Sequence, residues 1–393
     1  MEGPAPVSSG EEDLPDLTYS ETERALTDSL TSLLADRFNL DKTLARTESI
    51  ETYDDGLWQA VAVELGCAGL LIPERDGGAG ASYREAASAA EALGAAVAPV
   101  PFLGSAVVAT AALLSVEPSP AVTDLLRRMA AGSVTAALAV GFPTAPRRAF
   151  PDAVRVAGSR SGDGQAGAAR LRGKVSGAAD VLPAQVLLVP ADGVPRALYL
   201  VDVSAGGVAK APAVSLDMTR QVCDVSFGDA PGTLIASGAA AERAVRAALT
   251  AGAAILAAEQ VGLAQRCLDM TVAYVKQRHQ FARPVGSFQA LKHRLADVWV
   301  GVSQGRAASR YAAACLAAGH PDAEVAVALA KAYCSDVAVH AAQECVQMHG
   351  GIGFTWEHPA HLYLKRAKAD SLGFGTADAH RAALASLVNL PAP

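Results

Sequence analysis

The chain lacks the sequence features of zinc proteins, of nucleic-acid-binding proteins and of disulfide-rich secreted proteins. Its six cysteines are scattered and no two form a Cys-x-x-Cys pair, so neither a zinc site nor a disulfide framework is predicted. The net charge of −7 offers no basic face for nucleic acid. We therefore expect the cysteines to be buried free thiols in a reducing compartment.

Signals for export or for a membrane span are also missing. Up to about Leu17 the chain is rich in proline, glycine, serine and acidic residues, which predicts a disordered tail over residues 1–17 and not a signal peptide. The longest uncharged run, residues 92–116, contains Pro99, Pro101 and Gly104, which break a spanning helix. We expect a cytoplasmic protein without a membrane partner.

What is present is typical of a globular protein of two or three packed units, because 51% of the 393 residues are hydrophobic and 19% are charged. Leu57, Val61 and Leu65 recur at helical spacing and predict a helix that ends near Gly66. The fold class is therefore predicted to be α+β, mainly α. Its parts are an N-terminal helical domain over residues 18–132, a small antiparallel β domain over 133–236 and a C-terminal four-helix bundle over 237–393.

The β domain is predicted from short apolar or alternating runs that are separated by glycine, proline and aspartate turns. The bundle is predicted from apolar stripes at helical spacing on long segments with short connections. The strand runs are Thr135–Val140, Gln185–Val189, Ala197–Val203 and Gln221–Phe227. The stripes are Val261, Ala264, Leu268, Val272 and Val275; Leu291, Leu295, Val298 and Val302; and Val325, Leu329, Ala332 and Val337.

Two motifs lie at the ends of these long helices, residues 278–289 and residues 347–354. Together they offer a cation, carboxamides, an aromatic pair and a Gly-Gly turn. A positive charge attracts phosphate groups, side-chain amides can hydrogen-bond to the polar edges of a nucleotide, and glycine allows the backbone to approach a ligand closely. The two motifs together predict a binding site for the pyrophosphate of a nucleotide between packed helices.

These segments, with Val261-Gly262-Leu263-Ala264-Gln265-Arg266 and Trp356-Glu357-His358, resemble the acyl-CoA dehydrogenase family of flavoproteins. The resemblance covers nearly the whole chain and is strongest over residues 259–381. The run from Gly350 to His358 is similar to the actinobacterial branch that acts on steroid side-chain and related bulky thioesters. The resemblance implies FAD as cofactor, an acyl-CoA substrate, α,β-desaturation by a carboxylate base, and an electron-transfer flavoprotein as acceptor.

In this family each FAD lies at a subunit interface, and its adenosine and pyrophosphate half is held by the neighbouring subunit. The resemblance therefore implies a set of residues, called here the clamp, that holds this half. Thr376 and Asp378 match positions on the adenine side. The clamp residues are Arg278, Gln280, Phe281, Gln289, Gln347, Gly350 and Gly351, with Ala282 in place of the usual glycine.

The part of the family site that covers the flavin ring is different in this chain. A Thr-Glu-Pro…Gly-Ser-Asp-like loop is replaced by residues 141–147, and a Trp-Ile-Thr-like strand is replaced by residues 174–179. The stacking tryptophan is missing, and Thr144 or Ser176 are the candidate substitutes for the lost hydrogen-bond donors.

The catalytic carboxylate is also missing at both family positions, where Phe374 and Gly252 stand. Glu259 lies two helical turns beyond Gly252, about 10 Å by helix rise, and is a candidate for a displaced base or for a buried acid that pairs with Arg266 or another neighbour. Asp370 and Glu344 are further candidates.

Other charged groups near the motifs receive structural interpretations. His349 and His358 are assigned to interface hydrogen bonding. The basic side chains Lys365, Arg366 and Lys368 are assigned to a solvated or carboxylate-facing surface.

The pattern of retained and lost residues favours one subunit of an α2β2 heteromer, in which a homologous partner supplies the base and the ring cover. Three alternatives stay open. The chain could be a self-sufficient homotetrameric dehydrogenase with Glu259 as base, a non-catalytic binding or scaffold protein, or a catalyst of another reaction on the same scaffold.

Overall fold

The computed structural model describes residues 15–37, 43–45, 53–157 and 169–390. Residues 1–14 of the tail predicted over residues 1–17 lie outside them. The N-terminal unit is helical, and the helix predicted from Leu57 to Leu65 is confirmed: it ends at Gly66, whose φ of +68° is left-handed. Its helices are α1 (Glu21–Arg37), α2 (Asp55–Gln59, continued by a π-helical turn Ala60–Glu64), α3 (Tyr83–Ala95), α4 (Thr110–Leu114, preceded by a π-helical segment Phe102–Ala109) and α5 (Pro120–Ala130).

The segment before α1 is anchored to the helical core by two arginines. Arg84 donates to the carbonyl oxygens of Asp16 and Thr18 at 2.6 and 2.7 Å. Arg310 donates to those of Leu17 and Thr18 at 2.5 and 2.8 Å. The predicted boundary of the tail at Leu17 therefore falls inside a bound segment, because carbonyl groups that accept charged hydrogen bonds are held in place.

The β unit is one sheet of seven strands in the described part of the chain. The strands are β1 (Ala136–Leu138), β2 (Val154–Ala157), β3 (Ala169–Ala179), β4 (Val186–Ala191), β5 (Ala197–Asp202), β6 (Val208–Pro212) and β7 (Val222–Ser237). Their order in the sheet is β1-β4-β5-β7-β3-β2, and β6 pairs with the end of the long strand β7 that does not pair with β5. All four runs proposed from the sequence are strands. The pairing of β1 with β4 is parallel, which departs from the predicted antiparallel sheet, whereas the other strand pairs of this sheet are antiparallel.

The C-terminal unit is a bundle of three long helices and two short ones, as the stripes predict. The first two stripes face the core, whereas the third is partly wrong: Leu329 is 46% exposed. The helices are α6 (Ala239–Gln277), α7 (Gln289–Ala318), α8 (Ala323–His349), α9 (Ala360–Leu372) and α10 (Ala377–Leu387). The domain limits at residues 132 and 236 stay predictions.

Two helices in the described part of the chain are long and apolar enough to cross a membrane by composition. The apolar window of α6 is 94% buried inside the fold, which is the behaviour of a core helix. All six cysteines are buried free thiols, as predicted.

Helix α6 is the element that joins the units, because glycines let its backbone approach α3 closely. A Cβ at Gly94 of α3 would lie 2.2 Å from the Glu259 carbonyl oxygen, and one at Gly262 would lie 1.9 Å from the Glu91 carbonyl oxygen. Only glycine tolerates such contacts. This packing places Gly252 of α6 beside the N-terminal helices.

Candidate functional site

The fold brings the two predicted clamp motifs together at one end of the bundle. Arg278 directly follows α6, and its backbone N–H donates to the Tyr274 carbonyl oxygen at 2.9 Å. Gln347 lies in the last turn of α8, which ends at His349. The rings of Tyr274 and His349 are 4.4 Å apart, so the ends of α6 and α8 are in direct contact.

A two-residue hairpin turn presents an aromatic ring beside this contact. Strand β8 (His279–Gln280) pairs with β9 (Arg283–Pro284), and the turn residues Phe281 and Ala282 have φ of +54° and +62°. Both central residues of this tight turn are therefore left-handed, a conformation that favours glycine or asparagine. The Phe281 side chain is 85% exposed, so it is available to a ligand or to another chain.

The polar groups of the clamp point away from the rest of the chain. Across the described residues, the side chains of Arg278, Gln280, Gln289 and Gln347 are exposed and make no hydrogen bond or ion pair. A Cβ at Gly350 or Gly351 would meet no atom within 4 Å, so the backbone of this turn is open. Unpaired donors beside an open backbone fit the pyrophosphate and adenosine half of FAD.

Thr376 and Asp378 lie away from the clamp of the same chain. Both stand at the start of α10, where the Thr376 hydroxyl accepts from the backbone N–H of Ala379 and Asp378 pairs with Arg381 at 3.0 Å. Arg381 also pairs with Asp336 of α8. Because Asp336 precedes the last turn of α8 by about 16 Å of helix rise, these two residues belong to a different part of the surface.

The two family positions of the catalytic base meet in space. A Cβ built on Gly252 of α6 would lie 2.8 Å from the ring of Phe374 and 2.9 Å from Val108. The ring of Phe374 therefore occupies the space in which a side chain at position 252 would stand. Neither Gly252 nor Phe374 carries a carboxylate, so these two side chains offer no proton acceptor.

Phe374 is fixed in this position by its backbone. Its φ is +51°, its N–H donates to the Phe142 carbonyl oxygen at 2.7 Å, and its own carbonyl oxygen accepts from Nε2 of His380 at 2.9 Å. Burial lowers the pKa of His380 to about 4, so this imidazole is neutral at pH 7. A non-glycine residue held at positive φ indicates a strained turn that its surroundings enforce.

Phe142 fills further space beside Phe374. It belongs to the loop of residues 141–147, which the resemblance places over the flavin ring. Its ring meets that of Phe374 edge-on, with centroids 5.4 Å apart. The cavity that these two rings line has a volume of about 20 Å³, which is room for one water and not for an acyl chain. Its lining is Leu103, Gly104, Val108, Leu138, Val140, Phe142, Ala179, Asp180 and Phe374.

Behind these rings lies a buried arginine–carboxylate cluster that consists of Arg220, Arg366, Asp180, Asp217, Glu259 and Asp370. Glu259 accepts from Arg220 at 2.6 Å and pairs with Arg366 at 2.6 Å. The other carboxylates lie 3.4–3.6 Å from the two guanidinium groups. Glu259 therefore pairs with neighbours, as the sequence allowed, but Arg266 is not one of them. Arg366 is buried and is not a surface cation.

The electrostatics of the cluster hold Glu259 ionised. Burial alone would raise the pKa of Glu259, but Arg220 and Arg366 outweigh burial and hold it at about 2. Burial and the charge of Glu259 raise the pKa of Asp370 to about 7. A carboxylate with a pKa near 2 that is bonded to two guanidinium groups is a weak base at pH 7.

Asp370 and Glu344, the further base candidates, are also engaged or enclosed. Asp370 is fully buried within the cluster, and Glu344 pairs with Arg294 at 2.7 Å. His349 and His358 stack on each other with centroids 4.3 Å apart inside the chain.

Asp180 is a site residue that the sequence did not indicate. Its carboxylate accepts from the backbone N–H of Gly104 at 2.9 Å and faces the remaining cavity. Burial raises the pKa of Asp180. The only trace in the sequence is Gly104 itself, where a Cβ would stand 2.5 Å from the Asp180 side chain, and a single glycine does not identify such a contact.

The Glu259→Gln substitution is expected to destabilise the chain in a pH-dependent way. The ordinary pKa is 4.5 and the folded one about 2, so the ionised carboxylate contributes on the order of 3 kcal/mol above pH 5. This contribution is lost as the pH falls through about 4.5 towards 2. Urea unfolding of both proteins at pH 7 and pH 3 should show a difference that narrows at pH 3.

The exposed Glu117 gives the matched control for that measurement. Glu117→Gln should change the unfolding free energy by less than about 0.5 kcal/mol at either pH. An equal effect of Glu259→Gln at both pH values would contradict the assigned ionisation.

Comparison with known proteins is consistent with this geometry. Family models described as acyl-CoA dehydrogenase N-terminal and C-terminal domains match residues 20–133 and 242–388. The acyl-CoA dehydrogenase IpdE2 of Mycolicibacterium smegmatis is 34% identical over 348 residues, which are 88% of this chain and 93% of that protein. The chain belongs to the acyl-CoA dehydrogenase family, whose members are FAD-dependent flavoproteins.

Two solved structures resemble the chain over nearly its full length. The ChsE4-ChsE5 complex from Mycobacterium tuberculosis matches with a TM-score of 0.83 and 25% identity, covering 96% of this chain and all of that one. The Tcur3481-Tcur3483 steroid acyl-CoA dehydrogenase matches with a TM-score of 0.81 and 27% identity, covering 94% and 98%. The first of these structures is described as a complex of ChsE4 with ChsE5, and the second is a variant whose name joins Tcur3481 and Tcur3483.

Proposed function

We propose that this chain is the FAD-clamping subunit of a heteromeric acyl-CoA dehydrogenase of α2β2 composition, in which a homologous partner supplies the catalytic base. The observation that carries the proposal is the contact between Phe374 and Gly252. Both family positions of the base converge there, and an aromatic ring fills the point. A chain with a closed base site and an open clamp is suited to serve a site in another subunit.

The clamp would act on the adenosine and pyrophosphate half of the cofactor. Arg278 would neutralise charge on the pyrophosphate. The amides of Gln280, Gln289 and Gln347 would hydrogen-bond to polar edges of the cofactor, and the open Gly350–Gly351 turn would let the cofactor approach the backbone closely. FAD supplies the hydride acceptor for α,β-desaturation when it is bound. In this proposal the chain positions the cofactor, and neither Gly252 nor Phe374 contributes a proton acceptor to the reacting carbon.

The substrate is proposed to be a bulky acyl-CoA, such as a steroid side-chain thioester, with an electron-transfer flavoprotein as the acceptor of the electrons. Support comes from the likeness to the Tcur3481-Tcur3483 steroid enzyme and from the run Gly350–His358. We propose that a bulky acyl group lies in the partner's cavity, since the cavity between Phe142 and Phe374 of this chain has a volume of only about 20 Å³.

The experiment is co-expression with homologous chains encoded nearby, followed by quantification of flavin per chain. We expect about one FAD per two chains and turnover only in the complex. Arg278→Ala in this chain should weaken FAD binding by tenfold or more, because a charge-assisted contact to phosphate contributes about 1.5–3 kcal/mol. Arg246→Ala on the exposed face of α6 is the matched control. One FAD per chain, or full affinity in Arg278→Ala, would contradict the proposal.

A self-sufficient dehydrogenase with a relocated base is the second candidate, and Asp180 is the observation that favours it. Asp180 is a buried carboxyl group with a raised pKa that faces the residual cavity. Turnover of acyl-CoA by the chain alone, lost in Asp180→Asn and kept in Glu259→Gln, would establish this candidate and remove the heteromer.

A further inference from the structure

Three aromatic side chains at the clamp end of the bundle pack against one another with tilted rings, at interplanar angles of 31° and 42°. They are called here the ring stack: Tyr274, His349 and His358. The centroid of His349 lies 4.4 Å from that of Tyr274 and 4.3 Å from that of His358. His349 is only 3% exposed. Its ring is therefore sandwiched between α6 on one side and the loop that follows the Gly-Gly turn on the other.

Backbone hydrogen bonds fix the orientation of both imidazoles. Nδ1 of His349 lies 2.6 Å from the Cys345 carbonyl oxygen, and since a carbonyl oxygen only accepts, Nδ1 carries the hydrogen and donates it. Nδ1 of His358 accepts from the backbone N–H of Ala360 at 3.2 Å, which leaves the hydrogen of a neutral His358 on Nε2. The ring stack thus has one defined geometry.

The stack joins the segments from which the clamp is built. The backbone of Arg278 is bonded to Tyr274, so the position of the arginine follows the position of that tyrosine. Gly350 is the next residue after His349 and begins the turn with a φ of +61°. A shift of the His349 ring would therefore change the distance between the Arg278 guanidinium and the open backbone of Gly350 and Gly351.

We propose that His349 is a positioning residue of the FAD clamp, which sets the Gly350–Gly351 turn relative to Arg278 by stacking between Tyr274 and His358. This inference rests on the proposed function of the clamp. Binding groups must be held within about 0.5 Å of their productive geometry by neighbours that are themselves fixed. His349 has no exposed face towards the cofactor, so it acts through the turn and through Tyr274.

The test is the FAD dissociation constant of the co-expressed complex, measured by flavin fluorescence after removal and re-addition of FAD. His349→Ala should raise the dissociation constant by about 10- to 100-fold, by analogy with the loss of a group that supports a metal-binding residue. His349→Phe keeps a flat ring in the stack and should stay within about threefold of the wild type, a bound taken from the modest additional energy of aromatic pairs. His340→Ala, an exposed histidine on the same helix, should have no effect.

Coupling to Arg278 separates positioning from simple loss of stability. If His349 acts through the geometry of the clamp, the effect of His349→Ala should shrink strongly in an Arg278→Ala background, because residues in one network are non-additive. Additive effects, or unchanged affinity in His349→Ala, would overturn the inference.

The proposed function has its own failure signal. If Arg278→Ala binds FAD as tightly as the wild-type complex, the clamp itself is refuted together with the inference. If Arg278→Ala weakens binding while His349→Ala does not, only the inference fails. If His349→Ala does not fold, His349→Gln replaces it. This variant keeps a hydrogen-bond donor for the Cys345 carbonyl oxygen but loses the ring, so its FAD dissociation constant can be compared with that of His349→Phe, which keeps the ring.

Discussion

Arg220→Met is expected to lower the free energy of unfolding by about 5 kcal/mol, at the upper end of the range for a broken buried ion pair. The guanidinium group of Arg220 lies within 3.6 Å of Asp180, Glu259 and Asp370, and its side chain is 2% exposed. Methionine fills most of the volume but leaves the four carboxylates of the cluster with a single guanidinium group, that of Arg366. The measurement is the shift of the urea unfolding midpoint at pH 7.

The expected loss comes from charge and not from packing, and this can be separated by pH. Loss of Arg220 makes the carboxylates easier to protonate, because Arg220 lowers the pKa of both Glu259 and Asp370. Protonation removes the uncompensated charge as the pH falls, so the difference between Arg220→Met and the wild type should shrink at pH 4. Arg246→Met on the exposed face of α6 should change the midpoint by less than about 0.5 kcal/mol. A loss that is equal at pH 4 and pH 7 would show that packing, not charge, is responsible.

The cluster also connects all three units of the chain. Asp180 and Arg220 belong to the β unit, Glu259 and Arg366 to the bundle, and the Gly104 N–H that binds Asp180 to the N-terminal helices. We therefore expect Arg220→Met to broaden the unfolding transition, since coupling between units is what makes their unfolding cooperative.

Periodicity predicted the order of the units correctly because each helix and strand carries its own local signal. The helix that ends at Gly66 and the strand run Ala197–Val203 could be read from a few neighbouring residues. The parallel pairing of β1 with β4 could not, because strand order depends on contacts between residues about 50 positions apart. Periodicity predicts which side chains of a strand face the core, but it does not predict which strand pairs with it.

The candidate site divides in the same way. Arg278 and the Gly350–Gly351 turn lie within short contiguous motifs, so the sequence indicated them directly. The ion-pair partners of Glu259 could not be predicted from the sequence. Arg220 and Arg366 are 39 and 107 residues away, and nothing in their spacing indicates the contact. The nearest arginine in sequence, Arg266, is exposed and lies two helical turns from Glu259, about 10 Å by helix rise, so it does not pair with this carboxylate.

Phe374→Ala is expected to cost about 3–5 kcal/mol of unfolding free energy, the usual loss for a buried phenylalanine that leaves a cavity. The ring is 5% exposed and packs edge-on against Phe142. The exposed Phe354 is the control, and Phe354→Ala should have a small effect. The measurement is again the urea unfolding midpoint of the purified chain.

The second half of the experiment uses Gly252, because the structure predicts that the cost of substituting it depends on Phe374. In the wild type, Gly252→Ala places a Cβ 2.8 Å from the phenyl ring and 2.9 Å from a methyl group of Val108, and it should destabilise by about 1–3 kcal/mol through overpacking. In the Phe374→Ala background the contact with the ring is gone while the one with Val108 remains. The same change should then cost less than about 1 kcal/mol, since alanine is a better helix former than glycine by about that amount. An equal cost of Gly252→Ala in both backgrounds would mean that the two positions do not share one space, and the contact on which the proposed function depends would be contradicted.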